Sequence, residues 1–336
     1  MNILHSFTVV DAHTTGSPVR VVLAGIPLLP GNTINEKMEY MRDHYDELRT
    51  CIVHQPRGYQ SLMCGVLVPP CSKEADFGLF YMDAKNYQPM CGAGTLSVTK
   101  ALIESGMVER KEPVTKICLE TGSGLVVVSA QISDGDIQSI SLDNVPSFLY
   151  QKDASLDVEG LGRITFDIGF GGNFFMIVNT AQLPVTLSTD TLSQYKQYMR
   201  AIVHAADEQI KIAHPLNPSL TDLNQVLFYN DTPDANGGYT CQCIFGDAQI
   251  DISPCGTGTS ARLAQMYSRG RIGRDEEFRQ NSIFGGTFRA NLLDDCKIGT
   301  YDGILPRITC EDVRITGFNH LVVEKDDIHK AGFVSW

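Results

Sequence analysis

Nowhere in the 336-residue sequence do about 20 apolar residues run together, which excludes a hydrophobic membrane-spanning helix. The opening MNILHSFTVVDAHTTG has no basic segment leading into a long apolar run, so no secretory signal is read and a cytoplasmic location is expected. Positive charge is in deficit: 27 Lys and Arg against 39 Asp and Glu leave a formal net charge of −12. That balance speaks against nucleic acid or an anionic membrane as a partner. Neither a CxxC pair nor HExxH occurs, so no metal is expected. Low-complexity linkers are also missing, while the chain is too long for one ordinary core; two closely packed domains of about 150 residues are expected. With 43% hydrophobic and 20% charged residues, it reads as a folded globular chain.

Cysteine, by contrast, is plentiful, with ten along the chain. A disulfide framework belongs to short secreted chains, which this is not. Cys241-Gln242-Cys243 has the donors to hold a metal, but it lies in a strand-like run, Tyr239–Phe245, whose alternate positions bury both thiols. Eight of the cysteines are read in this way, as structural. The other two, Cys91 and Cys255, stand in a repeat.

Met90-Cys91-Gly92-Ala93-Gly94-Thr95 is echoed by Pro254-Cys255-Gly256-Thr257-Gly258-Thr259. Asp83-Ala84 and Asp247-Ala248 lie eight residues before each cysteine, and Gly106 and Gly270 close the run after it. A duplication accounts for this correspondence. Around each copy the pattern is β-rich: strands are predicted near Phe7–His13, Arg20–Leu23, Ser61–Val68, Gly124–Ser129, Val226–Tyr229, Tyr239–Phe245 and Val313–Val323. Residues 35–50, with Asn35 as cap, and 192–212 carry apolar residues at helical spacing. The helix after each cysteine is apolar around much of its circumference, which predicts an enclosed, central helix. The expected fold is therefore α/β (α+β), with two pseudo-symmetric halves, each a curved, mostly antiparallel sheet around one helix. Residues 1–125 with about 312–336 form the first half, carrying Cys91, and 126–311 the second, carrying Cys255. Two such halves facing each other would bring both helix starts to one cleft.

A helix N-terminus exposes unpaired N–H groups and about half a positive charge, so it suits a carboxylate. The same field stabilises thiolate over thiol. One thiolate would remove an α-proton while an opposite thiol supplies a proton to the other face, and the backbone N–H groups near both cysteines would stabilise the carbanion. That chemistry inverts a stereocentre without a cofactor. Asp251, four residues before Cys255, is a further candidate, whereas His13 and His320 are as readily buried hydrogen-bonding residues as ligands. A cysteine hydrolase would need a base such as histidine, and neither repeat contains one.

DISPCGTGTSA (Asp251–Ala261) resembles the second signature of the proline racemase family and MCGAGT (Met90–Thr95) the first. DAHTTGSPVR, QPRGY, FGGNFF and ITGFNH extend the resemblance over nearly the whole chain. The resemblance implies a fold similar to diaminopimelate epimerase, no cofactor, a homodimer and a small-molecule substrate, with Cys91 and Cys255 as the acid/base thiols. It implies that Gly92, Gly256 and Thr257 bind the substrate carboxylate, Ala93 stands beside them, Asp251 binds the ring nitrogen and Phe245 forms an apolar wall. Ala93 departs from the histidine usual in the family, which removes a side chain beside the ring but keeps the backbone N–H. The dehydratase branch usually has threonine where Cys255 stands, so dehydration is disfavoured. The expected activity is proline racemisation; 4-hydroxyproline 2-epimerisation and non-catalytic imino-acid binding are the alternatives.

Overall fold

The structure, a computed structural model, describes residues 2–335. In chain order it runs β1 (Ile3–Thr14), β2 (Ser17–Ala24), α1 (Ile34–Val53), β3 (Met63–Val68), β4 (Phe77–Met82), β5 (Tyr87–Gln88) and α2 (Gly92–Glu104). Next come β6 (Val114–Thr121), β7 (Gly124–Ser133), β8 (Asp136–Asp143), β9 (Ser147–Val158), β10 (Gly162–Phe170), β11 (Phe174–Asn179) and α3 (Leu192–Gln209). The remainder is β12 (Gln225–Tyr229), β13 (Gly238–Phe245), β14 (Gln249–Ile250), α4 (Gly256–Ser268), β15 (Phe278–Ser282), β16 (Thr287–Ile298), β17 (Tyr301–Cys310) and β18 (Val313–Glu324). Two compact units result: residues up to Leu142 together with those from Cys310 onward, and Asp143–Thr309. None of the described helices is long and apolar enough to cross a membrane.

In the first unit β1 pairs antiparallel with both β2 and β18, β2 runs parallel to β3, and β3 is antiparallel to β4. Strand β4 is parallel to β6, which is antiparallel to β7. The second unit repeats the plan with the same sense at each step. There β10 pairs antiparallel with β11 and β9, β11 is parallel to β12, and β12 is antiparallel to β13. Strand β13 is parallel to β15, which is antiparallel to β16.

Helix α2 packs against β1, β2, β3, β7 and β18, and α4 against β9, β10, β11 and β16, so each helix is wrapped by its own sheet. Only Lys100 and Glu104 of α2 escape burial, and only Tyr267 and Ser268 of α4. Removing Leu96, Leu102 or Ile103 from water stabilises by about 1.5–3 kcal/mol each, an upper bound because the unfolded chain already hides some of that area. This fold is the α/β, diaminopimelate-epimerase-like one expected from the repeat and the resemblance.

Two local expectations need correction. The N-cap of α1 is Thr33, whose Oγ1 accepts the Glu36 N–H at 3.1 Å, while Asn35 lies within the first turn and donates instead to the Gly122 carbonyl. A side-chain oxygen three residues before an available N–H can cap it, whereas one already inside the helix cannot take that place. The division expected at 125/126 falls inside β7, which is laddered to β6 from Gly124 to Gln131 and so stays with the first unit.

The C-terminal end of α4 is tied to β10 through Asp167, which is 3% exposed. Arg269 grips its carboxylate with Nε and Nη2 at 2.7 and 2.6 Å, and Gln265 Nε2 and the Asp153 N–H also donate to it. Burial alone would push the carboxyl up, but the Arg269, Asp153 and Gln265 hydrogen bonds together hold it below the usual carboxylate range. Its contribution to stability is therefore full above the unfolded value near 3.9 and is lost as pH falls through the lower folded value. Asp167→Ala, which leaves Arg269 without this partner, should cost about 3 kcal/mol in urea unfolding at neutral pH. The same variant should lose stability less steeply as pH falls below about 4, because the depressed carboxylate is gone; an unchanged acid limb would contradict the assignment.

Candidate active site

Cysteine occupies the N-cap of both central helices, each thirteen residues long and related by the same sequence offset as the repeat. The Gly94 N–H donates to Cys91 Sγ and the Gly258 N–H to Cys255 Sγ, both at 3.3 Å. Both are N3 amides, so sulfur fills the capping role that oxygen normally takes. Behind each sulfur a threonine hydroxyl, Thr95 or Thr259, donates to its cysteine carbonyl at 2.8 Å. The Thr95 and Thr259 amides donate to the same carbonyls at 2.8 and 2.7 Å, so the third and fourth amides of each helix are used. The amides of Gly92 and Ala93, and of Gly256 and Thr257, remain without an acceptor inside their own helices.

Glycine at N3 leaves room for this contact. A Cβ at Gly94 would stand 3.2 Å from Cys91 Sγ and 2.5 Å from the Tyr81 ring, and one at Gly258 would stand 3.0 Å from Cys255 Sγ. At the far ends, Gly106 (φ +77°) and Gly270 (φ +66°) terminate the helices in the left-handed region that glycine tolerates.

Around this shared frame the units differ. Cys91 is extended at φ −143° and half-buried, whereas Cys255 is 6% exposed at φ +67°, a conformation that costs a non-glycine residue about 1–3 kcal/mol. Contacts on every side hold it there. The Cys255 N–H donates to Ser253 Oγ at 3.2 Å, and that hydroxyl donates to Asp251 Oδ1 at 2.7 Å. Thr257 Oγ1 lies 3.7 Å from Cys255 Sγ, and Phe245 packs on the apolar cluster containing Cys255.

These matched caps can bind an anion at each helix start and present a sulfur beside it. A family model described as proline racemase matches residues 9–334. The chain belongs to the proline racemase family. A proline racemase from Acetoanaerobium sticklandii is 40% identical over 96% of this chain and 97% of its own. A 4-hydroxyproline 2-epimerase from Streptosporangium roseum is 34% identical over 98% of both chains. The crystal structure of a hydroxyproline epimerase from Agrobacterium vitis, with bound trans-4-OH-L-proline, superposes with a TM-score of 0.93 at 30% identity, covering 100% of this chain and 96% of that one. The protein is thus an isomerase of the amino-acid racemase/epimerase class.

Within this family member, Cys91, Gly92 and Ala93 sit together at the start of α2 in the first unit. Asp251, Cys255, Gly256, Thr257 and Phe245 gather at the start of α4 in the second. His13 accepts the Gly16 N–H at 3.1 Å in the β1–β2 turn, and His320 lies on exposed β18, 3.3 Å from Thr8 Oγ1. Cys241 and Cys243 are buried on β13, as alternation predicted. Among the described residues no three His, Cys, Asp or Glu side chains gather as metal ligands would.

Sequence reasoning passed over three supporting residues. Thr14, fully buried, donates to the Ala93 carbonyl at 2.9 Å and meets Ser97 Oγ at 2.8 Å. Ser253 bridges Asp251 to Cys255, and the Tyr81 hydroxyl meets Thr95 Oγ1 at 2.5 Å. Thr14 lies in the DAHTTG run, whose resemblance marked it without revealing its partner. Gly94→Ala should destabilise by about 1–3 kcal/mol because the buried Tyr81 ring cannot retreat. Gly106→Ala, with nothing within 4 Å of its Cβ, should lose about 1 kcal/mol from φ strain alone. Urea denaturation of both variants checks the ranking.

Proposed function

We propose that the protein racemises proline by a cofactor-independent, two-thiol mechanism in which Cys91 and Cys255 act on opposite faces of one α-carbon. The observation that carries this reading is the matched pair of N-cap sulfurs, each accepting the N3 amide of its helix at 3.3 Å. The Gly92, Gly256 and Thr257 amides bind the substrate carboxylate, and their partial positive charge stabilises the carbanion as it forms. In one direction Cys255 takes the α-proton and Cys91 protonates the other face; in the reverse direction the roles exchange. Each sulfur then ends in the protonation state from which the opposite reaction starts.

Asp251 holds the ring nitrogen, which is cationic in the bound imino acid, and Ser253 fixes that carboxylate from behind through Oδ1. Phe245 offers an apolar wall to an unsubstituted ring. Greater identity with a proline racemase than with a 4-hydroxyproline epimerase favours proline, and the hydroxylated ring is the competing substrate. Ala93 keeps its backbone N–H while adding little bulk beside the carboxylate. The functional form is proposed to be a cytoplasmic homodimer.

Purified protein incubated with L-proline in deuterated water, without added metal or cofactor, should yield D-proline carrying deuterium at the α-carbon. Faster exchange with trans-4-hydroxy-L-proline would transfer the assignment to that substrate. Absence of exchange with both would reject the racemase and epimerase readings together, and thermal stabilisation without exchange would indicate binding alone. Cys91→Ser and Cys255→Ser should each reduce exchange-coupled inversion about 10³-fold, since each removes one acid/base group.

A further inference from the structure

Three buried polar side chains with no part in the chemistry above hold the segment that leads into Cys255. Gln242 of β13 donates from Nε2 to the Asp251 carbonyl at 2.7 Å, and Ser282 of β15 donates from Oγ to the Ile252 carbonyl at 2.5 Å. Gln280, also of β15, donates from Nε2 to the Pro254 carbonyl at 2.9 Å. Gln280 reaches furthest towards the sulfur. Its Nε2 also donates to Thr259 Oγ1 at 3.0 Å, and that hydroxyl gives its own proton to the Cys255 carbonyl at 2.8 Å. One amide group thus grips the carbonyl before the Cys255 α-carbon directly, and the carbonyl after it through a single hydroxyl.

The first unit has no counterpart of this amide. Strand β4 runs parallel to β6 with Phe77 beside Leu119, and β13 runs parallel to β15 with Cys241 beside Ser282. Phe77 and Cys241 are related by the offset of the repeat, so Leu119 stands where Ser282 does and Ile117 where Gln280 does. Both are buried and apolar. The two cysteines differ in the same way. Cys91 has an ordinary extended backbone at φ −143°, whereas Cys255 is held at φ +67°. The amide is found in the unit whose cysteine is strained. It is kept there at a cost, because Gln280 Oε1 is buried with no donor in reach among the described residues. An isoleucine, as at position 117, would carry no such cost.

We propose that Gln280 is a positioning residue for Cys255: by fixing the carbonyls on both sides of that residue it holds the backbone at positive φ, and with it Sγ on the Gly258 amide. This rests on the reading of Cys255 as an acid/base group. The orientation of the Gln280 amide follows from its partners. The Pro254 carbonyl can only accept, and the Thr259 hydroxyl has given its proton to Cys255, so the nitrogen must face both. Ser253 completes the hold from the other edge, since its Oγ accepts the N–H of the very peptide whose carbonyl Gln280 takes. With that peptide plane fixed on both edges and the next carbonyl tied to Thr259, the two torsions at the Cys255 α-carbon have little freedom left. The sulfur then sits 3.3 Å from the Gly258 nitrogen.

Gln280→Met keeps the length of the side chain and removes both N–H donors. A crystal structure of the full-length variant should show Cys255 out of the left-handed region, towards the extended conformation of Cys91, with Sγ beyond hydrogen-bond reach of the Gly258 N–H. Cys255 still near φ +67° with the 3.3 Å contact intact overturns the proposal. Proton exchange at the α-carbon of proline in deuterated water reads the consequence. The variant should lose about 10²-fold in kcat, as a reacting group displaced by about 1 Å does, with KM within about twofold of the parent. Combined with Cys255→Ser, which removes the group to be positioned, Gln280→Met should cost less than about twofold more; combined with Cys91→Ser it should again cost about 10²-fold. Equal losses in the two backgrounds, as general weakening of the fold would give, overturn the proposal. Should the methionine variant fail to fold, Gln280→Ile, which copies the first unit, replaces it with the same expectations. A parent protein that exchanges no α-proton rejects the racemase reading alone, because the conformation of Cys255 in the variant structure still decides the role of Gln280.

Discussion

In both central helices an N-cap sulfur accepts the third helical amide, and a Cβ on the residue carrying that amide would crowd the sulfur at 3.2 or 3.0 Å. Everything distinctive in the two helix starts follows from this contact. Glycine gives room at N3, the next amide turns back to the cysteine carbonyl, and the threonine bearing it reinforces the same carbonyl with its hydroxyl. A glycine-rich opening is weak helix former, so the helices depend on enclosure by their sheets rather than on propensity. Their nearly complete burial answers that weakness.

On this common frame the units build different surroundings. In the first, Tyr81 from β4 lies against Gly94 and meets the Thr95 hydroxyl. Burial, then the charge at Cys91, raises the Tyr81 phenol well above its ordinary value, so it stays protonated. In the second, the corresponding strand β13 brings thiols instead, and the cysteine is turned to positive φ. Matched caps thus stand among unlike neighbours.

Much of this was legible in the residues. The repeat located both helices to the residue at their N-termini, because CGxG is itself the capping structure. Alternation marked β12, β13 and β18 closely, and the glycine pair at 171–172 separated β10 from β11. Other features were hidden because long-range partners decide them. The extent of β7 depends on its ladder with β6, and the cap of α1 on which hydroxyl meets Glu36. Ser253 is one hydroxyl in a loop, whose role exists only once Asp251 and Cys255 fold around it. Alternation showed that Cys243 is buried, but not what it would touch.

Strand β1 finds its partner β18 some 300 residues along the chain, with Phe7 opposite Leu321 and Val10 opposite Phe318. The Asp143–Thr309 unit, by comparison, is one uninterrupted stretch. During synthesis the inserted unit therefore has all its strands available before the surrounding one does. The first half of the polypeptide must wait, with one side of β1 unpaired, until the ribosome has released the segment that completes its sheet.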